Sequence, residues 1–165
     1  MSKLQIVRHG DLSIRKALDI IEIKSIAWPY DADSQFQWMI RNLRENDLHF
    51  LLRDEASNQI VAYLNLVEVE AEFEEGNKIT CWGLGNVCTR EKGKGKGREM
   101  MMLLNDYIQN NNLYAILLCK EKLLEFYRKV GWTELKNETG MSSDIYVMQF
   151  GNHKFEKVFA ISRVF

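Results

Sequence analysis

Lys92–Gly97 reads KGKGKG, with Arg98 directly after it. An apolar stretch of strand-like composition precedes the run, and a Met- and Leu-rich stretch follows it. At a strand-to-helix junction, residues of this kind can hold an anion. The first amides of a helix lack intrahelical partners, and the helix dipole adds partial positive charge there. Phosphate is the common ligand of such a site. Gly93, Gly95 and Gly97 would let the chain bend and let a pyrophosphate reach the backbone. Lys92, Lys94, Lys96 and Arg98 would add full charges. The same residues also suit a solvated, mobile basic turn, and spacing alone does not separate the two. The P-loop pattern is absent. No Rossmann unit with a later acidic ribose ligand is legible either. Both absences argue against a nucleoside triphosphatase or a dehydrogenase.

Other chemically capable side chains are more dispersed. Glu68, Glu70 and Glu72 alternate with Val67, Val69 and Ala71. Glu68 is the candidate for a general base acting through water; a solvated strand face is the plain alternative. His9, His49 and His153 lack metal-ligand spacing, so structural or surface roles are expected and no metal is assigned. Cys81, Cys88 and Cys119 form neither a zinc pattern nor a disulfide framework, so reduced thiols are expected. Cys81 has no His close in sequence and reads as a buried structural thiol. Trp28, Tyr30 and Trp38 either shape a pocket or pack a core.

The elements that must position these groups follow from pattern. Leu4–Arg8 reads as a strand. Ile14, Leu18, Ile21 and Ile26 are near helical spacing, and Pro29 ends that helical region. Asp33 or Ser34 is expected to cap a second helix whose apolar residues are Phe36, Trp38, Met39, Ile40 and Leu43. Strands follow over LHFLLRD, QIVAYLNLVEVEAEFEE and KITCWGLGNVCT, with Gly76-Asn77 as a turn. Gly83 and Gly85, inside the third of these, mark a bulge or a close approach. A helix is expected from about Gly97 to Gln109, then a buried strand over LYAILLC. A helix over EKLLEFYRKVGW ends at Gly131, and WTEL and DIYVMQF close the pattern. The order is strand, two helices, three strands, helix, strand, helix, then strands. That is an α/β arrangement with an antiparallel meander in front and crossovers behind.

With 165 residues, 46% apolar and 27% charged, the chain suits one globular domain. A net charge of −1 argues against a general nucleic-acid binder. No run of about 18 apolar residues occurs, so no membrane association is expected and the protein is expected to be cytoplasmic.

NVCTREKGKGKGREMMMLLNDYI resembles the acetyl-CoA signature of the GCN5-related N-acetyltransferases, with Lys92, Gly95 and Gly97 at the signature positions. Lys92 stands where the family carries Arg or Gln. LLEFYRKVGW resembles the family's later helix and its aromatic ending, although Lys120 and Leu123 replace residues common there. Both motifs occur in the expected order, and the element order fits over about residues 4–150. The resemblance implies a mixed, mostly antiparallel central sheet flanked by helices, with a splayed central strand pair. It implies one acetyltransferase domain over 1–165, with 151–165 as an extension or added strand.

The resemblance also implies site roles. Asn86, Val87, Cys88 and Thr89 would pair with the pantetheine amides of acetyl-CoA, the cosubstrate, as an added strand does. Gly83 and Gly85 would supply the bend, and Lys92–Arg98 would hold the pyrophosphate. Tyr127 would give a proton to the departing thiolate. Its ordinary pKa, about 10 against about 8.5 for a thiol, keeps it protonated until then. The function implied is transfer of an acetyl group to a primary amine of a small or mid-sized molecule. A CoA-binding sensor with weak or no chemistry is the alternative. A basic-loop interaction protein without CoA is a third reading. Residues 151–165 are expected to pair across a homodimer or to add an edge strand.

Overall fold

Turn chemistry sets the element boundaries. The computed structural model describes residues 1–165. In order they form β1 (Ser2–Arg8), α1 (Ile14–Ala27), α2 (Ala32–Asn42), β2 (Leu48–Asp54), β3 (Ile60–Phe73), β4 (Lys78–Thr89) and α3 (Lys96–Asn110). Then come β5 (Tyr114–Cys119), α4 (Glu121–Lys129), β6 (Thr133–Asn137), β7 (Tyr146–Gly151) and β8 (Lys157–Ile161). The eight strands pair in the order β1-β2-β3-β4-β5-β7-β6-β8, and β3 also pairs with β8. β4–β5 and β6–β8 are parallel; β1–β2, β2–β3, β3–β8, β5–β7 and β6–β7 are antiparallel. This is the mixed, mostly antiparallel sheet that the sequence implies. The β4–β5 pairing covers only Trp82–Leu84, whereas β4 continues to Thr89. That short pairing is the expected splay.

The chain forms two compact units, residues 1–67 with 85–100, and residues 68–84 with 101–165. In the first, Ser13 caps α1 by accepting from the Lys16 N–H at 3.3 Å, and Asp31 caps α2 by accepting from the Ser34 N–H at 2.8 Å. The cap of α2 is therefore Asp31, not Asp33 or Ser34. α1 buries Ala17, Ile20, Ile21, Ile23 and Lys24. Of the expected face only Ile21 is buried; Ile14, Leu18 and Ile26 face water. α1 carries apolar residues on most of its circumference, so periodicity does not select the buried side. Each fully buried Ile, such as Ile20 and Ile23, contributes about 1.5–3 kcal/mol.

In the second unit the strand pairings close on themselves. β8 lies beside β6, at Lys136↔Lys157 and Asn137↔Val158, and beside β3, at Ala71↔Ile161 and Phe73↔Val158. Of the readings for 151–165, an extension or an added strand, Lys157–Ile161 takes the second, with a strand neighbour on each side rather than a place at the edge. The Glu74 carboxylate accepts from the Glu156 and Lys157 N–H groups at 2.9 and 3.0 Å, which fixes the entry into β8. Phe73 stacks on Phe155 with centroids 4.0 Å apart, and Tyr114 meets both edge-on. Asn105 holds α3 to the end of α4, donating to the Val130 carbonyl at 2.7 Å and accepting from Trp132 Nε1 at 3.0 Å.

Candidate functional site

The Lys/Gly run sits in the first unit, between β4 and α3. Gly93 and Gly95 adopt left-handed φ values of +75° and +73°, with open space where a side chain would start. The first intrahelical bond of α3 runs from the Glu99 N–H to the Gly95 carbonyl at 3.0 Å. The amides of Lys96, Gly97 and Arg98 precede that bond and are the open donors of the helix end. Lys92, Lys94 and Arg98 are exposed and make no hydrogen bond or ion pair within the chain. Lys96 differs: its ammonium donates to Ser2 Oγ and to Glu99, each at 2.7 Å. Lys96 therefore braces the loop against β1, and the free cations are the other three. A diphosphate suits a turn of this kind, because the backbone at Gly93 and Gly95 is open to approach and the cations are exposed.

β4 brings Asn86, Val87, Cys88 and Thr89 to the start of this loop. The expected source of the bend was Gly83 and Gly85. The left-handed residue is instead Asn86, with φ +54°. Asn tolerates this conformation. Asn86 donates from Nδ2 to Asn65 Oδ1 at 3.2 Å, and that bond holds the irregularity against β3. Gly83 has another role in the second unit: a Cβ there would lie 2.4 Å from the Phe165 ring, which packs on the strand. Arg90 fastens the end of β4, donating from Nε to the Ile60 carbonyl at 2.9 Å and pairing with Glu22 at 2.8 Å.

Tyr127 lies in the second unit on the buried face of α4, with Leu124. Burial, with a smaller contribution from Cys119, raises its pKa well above the phenol range, so it stays protonated. Its hydroxyl has no partner within the chain, yet it is not among the sealed unpaired atoms, so its tip meets solvent. A phenol in this state holds a proton that it can donate. Glu68 and Glu70 stand exposed on β3, with Glu72 partly so. Lys120 pairs with Asp144, which removes it as a free cation. Burial pushes Cys81 and Cys88 up to about 12, so neither is a thiolate nucleophile.

Two grooves are open. One of about 710 Å³ in the first unit is lined by charged residues that include Lys3, Arg53 and Arg90, but by none of residues 92–98. Its cations Arg53 and Arg90 are already paired with Asp19 and Glu22. The other, about 330 Å³ in the second unit, lies beside Glu70, Glu72, Lys78 and Ser162.

Sequence missed a buried polar set in the first unit. His9 and His49, far apart in sequence, meet at 3.0 Å, and the other nitrogen of His49 bonds the Tyr63 hydroxyl at 2.8 Å. Burial, helped by His9, pushes the His49 pKa down to about 3, so it is neutral. Lys24 is 2% exposed, and its ammonium sits 4.1 Å from the centre of the Trp38 ring. Burial lowers its pKa to about 8, with only Cys88 opposing. A desolvated cation–π contact is worth about 2 kcal/mol, against a penalty of several kcal/mol for the buried ion. The ring therefore does not balance the charge. No signal in the sequence marks Lys24, because nothing local distinguishes it from the partly exposed Lys16.

No family model matches the chain, and no curated protein matches it. Solved structures do. ElaA of Escherichia coli superposes with a TM-score of 0.66 at 15% identity, over 91% of this chain and 99% of that one. An acyl-CoA N-acyltransferase from Pseudomonas aeruginosa gives 0.65 at 16% identity, over 92% and 100%. A GNAT family acetyltransferase from Brucella melitensis, solved in complex with acetyl-CoA, gives 0.60 at 13% identity, over 98% and 96%. At these identities the likeness is one of fold: the chain has the fold of the GCN5-related N-acetyltransferases.

Proposed function

We propose that the protein transfers an acetyl group from acetyl-CoA to a primary amine of a small or mid-sized molecule. The observation that carries this is the head of α3. There, two left-handed glycines, open first-turn amides and three unpaired cations stand together on this fold, which supports a site for a diphosphate. Acetyl-CoA, when bound, supplies an activated acyl group as a thioester. Lys92, Lys94, Arg98 and the loop amides hold its diphosphate, and Asn86–Thr89 offer backbone groups to its pantetheine arm. Tyr127 keeps its proton until negative charge grows on the departing sulfur, then hydrogen-bonds and protonates it. Glu68 is the candidate to take the proton of the amine through water, and orientation supplies much of the rate.

Calorimetry with acetyl-CoA on the full chain tests the reading. Binding should be measurable and should weaken as salt rises, since the diphosphate is held largely by charge. Absence of heat across micromolar to millimolar acetyl-CoA overturns the proposal. Transfer of labelled acetyl to an amine panel then separates an enzyme from a sensor of the same fold.

A further inference from the structure

Asn86 is the one residue of β4 with a left-handed φ, +54°, and it opens the stretch Asn86–Thr89 that runs on after pairing with β5 ends at Leu84. A side chain makes this conformation unfavourable; Asn is tolerated there because its short amide can bond nearby. Such a residue persists where its surroundings hold it. Here the hold is a single bond. Asn86 Nδ2 donates to Asn65 Oδ1 on β3 at 3.2 Å, and neither side chain makes another hydrogen bond. Asn65 is fully buried, and its own Nδ2 is sealed and without a partner. His49, opposite it in register on β2, has one ring nitrogen on His9 and the other on Tyr63. Leaving a buried donor unpaired costs at least as much as one ordinary hydrogen bond returns. Stability therefore does not account for an amide at position 65; its bond to Asn86 does.

A single left-handed residue inside a strand rotates the peptide planes after it, so the backbone groups that follow face differently from those of a regular strand. We propose that Asn65 is a positioning residue for acetyl-CoA: through Asn86 it sets the direction of the backbone groups of Asn86–Thr89, and so the fit of the pantetheine arm. Asn65 itself is sealed from any ligand and acts only through Asn86. The diphosphate end is independent of it, because the loop at Lys92–Arg98 bends on its own left-handed glycines, Gly93 and Gly95. The two ends of the cosubstrate should therefore respond separately to a change at Asn65. The proposal rests on the acetyl-CoA reading above.

Calorimetry on the full chain with acetyl-CoA, and with ADP, which carries a diphosphate but no pantetheine arm, tests it. Asn65→Leu removes the amide and keeps its branched outline. It should weaken acetyl-CoA binding about tenfold and change ADP binding by less than about twofold. The double variant Asn65→Leu/Asn86→Gly should regain most of the lost affinity, since glycine takes the left-handed geometry without a partner. The unliganded protein gives a second readout: the amide and Cα chemical shifts of Cys88 and Thr89 should move in Asn65→Leu and return in the double variant. Should Asn65→Leu not fold, Asn65→Ala removes the same bond and should give the same pattern. Where ADP gives no heat, the glycine rescue alone decides. The proposal is overturned if loss of the Asn65 amide leaves acetyl-CoA binding intact, if it weakens ADP binding equally, or if glycine at position 86 restores nothing. Any of these results with acetyl-CoA bound by the wild-type chain removes this proposal alone. A wild-type chain that does not bind acetyl-CoA removes the acetyl-CoA reading and this proposal with it.

Discussion

Tyr127 and His49 are both buried titratable side chains, and burial moves them in opposite senses. The phenol is pushed up and remains a donor; the imidazole is pushed down and remains neutral. Tyr127→Phe should lower kcat about 100-fold while the KM for acetyl-CoA stays within about twofold, measured by steady-state kinetics. His49 gives a pH signature. Its folded pKa, about 3, lies below the ordinary value near 6.5. Above about pH 6.5 neither state is protonated and the full stability is present. As pH falls through that window, the unfolded chain takes up a proton that the native ring refuses, and stability is lost. Urea denaturation between pH 4 and 7 should show a decline on the order of a few kcal/mol, and His49→Gln should flatten it.

At the scale of elements, two glycines of similar appearance in the sequence should respond differently. Gly95→Ala meets no neighbour, so its effect is backbone strain of about 1–2 kcal/mol plus weaker acetyl-CoA binding. Gly83→Ala instead drives a methyl group into the Phe165 ring. Its destabilisation should shrink in the Phe165→Ala background, a non-additivity that a double-mutant cycle by denaturation will measure. The elements were largely legible, because turns such as Gly76-Asn77 and the valine–glutamate alternation of β3 report local backbone chemistry. The candidate anion-binding loop was legible for the same reason: its charge and its glycines are contiguous. What escaped was long-range. Asn86 takes the left-handed turn in place of a glycine because Asn65 lies opposite to hold it. Lys24 is buried with its ammonium over Trp38 of α2, a choice among several sides of α1 that its own sequence does not make. The role of β8 depends on two partners, β3 and β6, both remote in sequence.

For the whole molecule, two compact units share β3, β4 and α3, each of which runs from one into the other. Pairing of β8 with both β3 and β6 makes the second unit sensitive to one position. Val158 is fully buried and faces Phe73 in register. Val158→Asp should cost about 3 kcal/mol or more in urea denaturation, since it buries an unpaired carboxylate. The closure also decides how the protein meets other copies of itself. β1 is the one strand with a single neighbour, so the Ser2–Arg8 rim offers a full-length unpaired edge, and Lys3 and Arg8 stand on it. A molecule nicked ahead of Lys157 would bare fresh rims on β6 and on the far half of β3. Those rims would add to the single full-length edge that the uncut chain presents at β1.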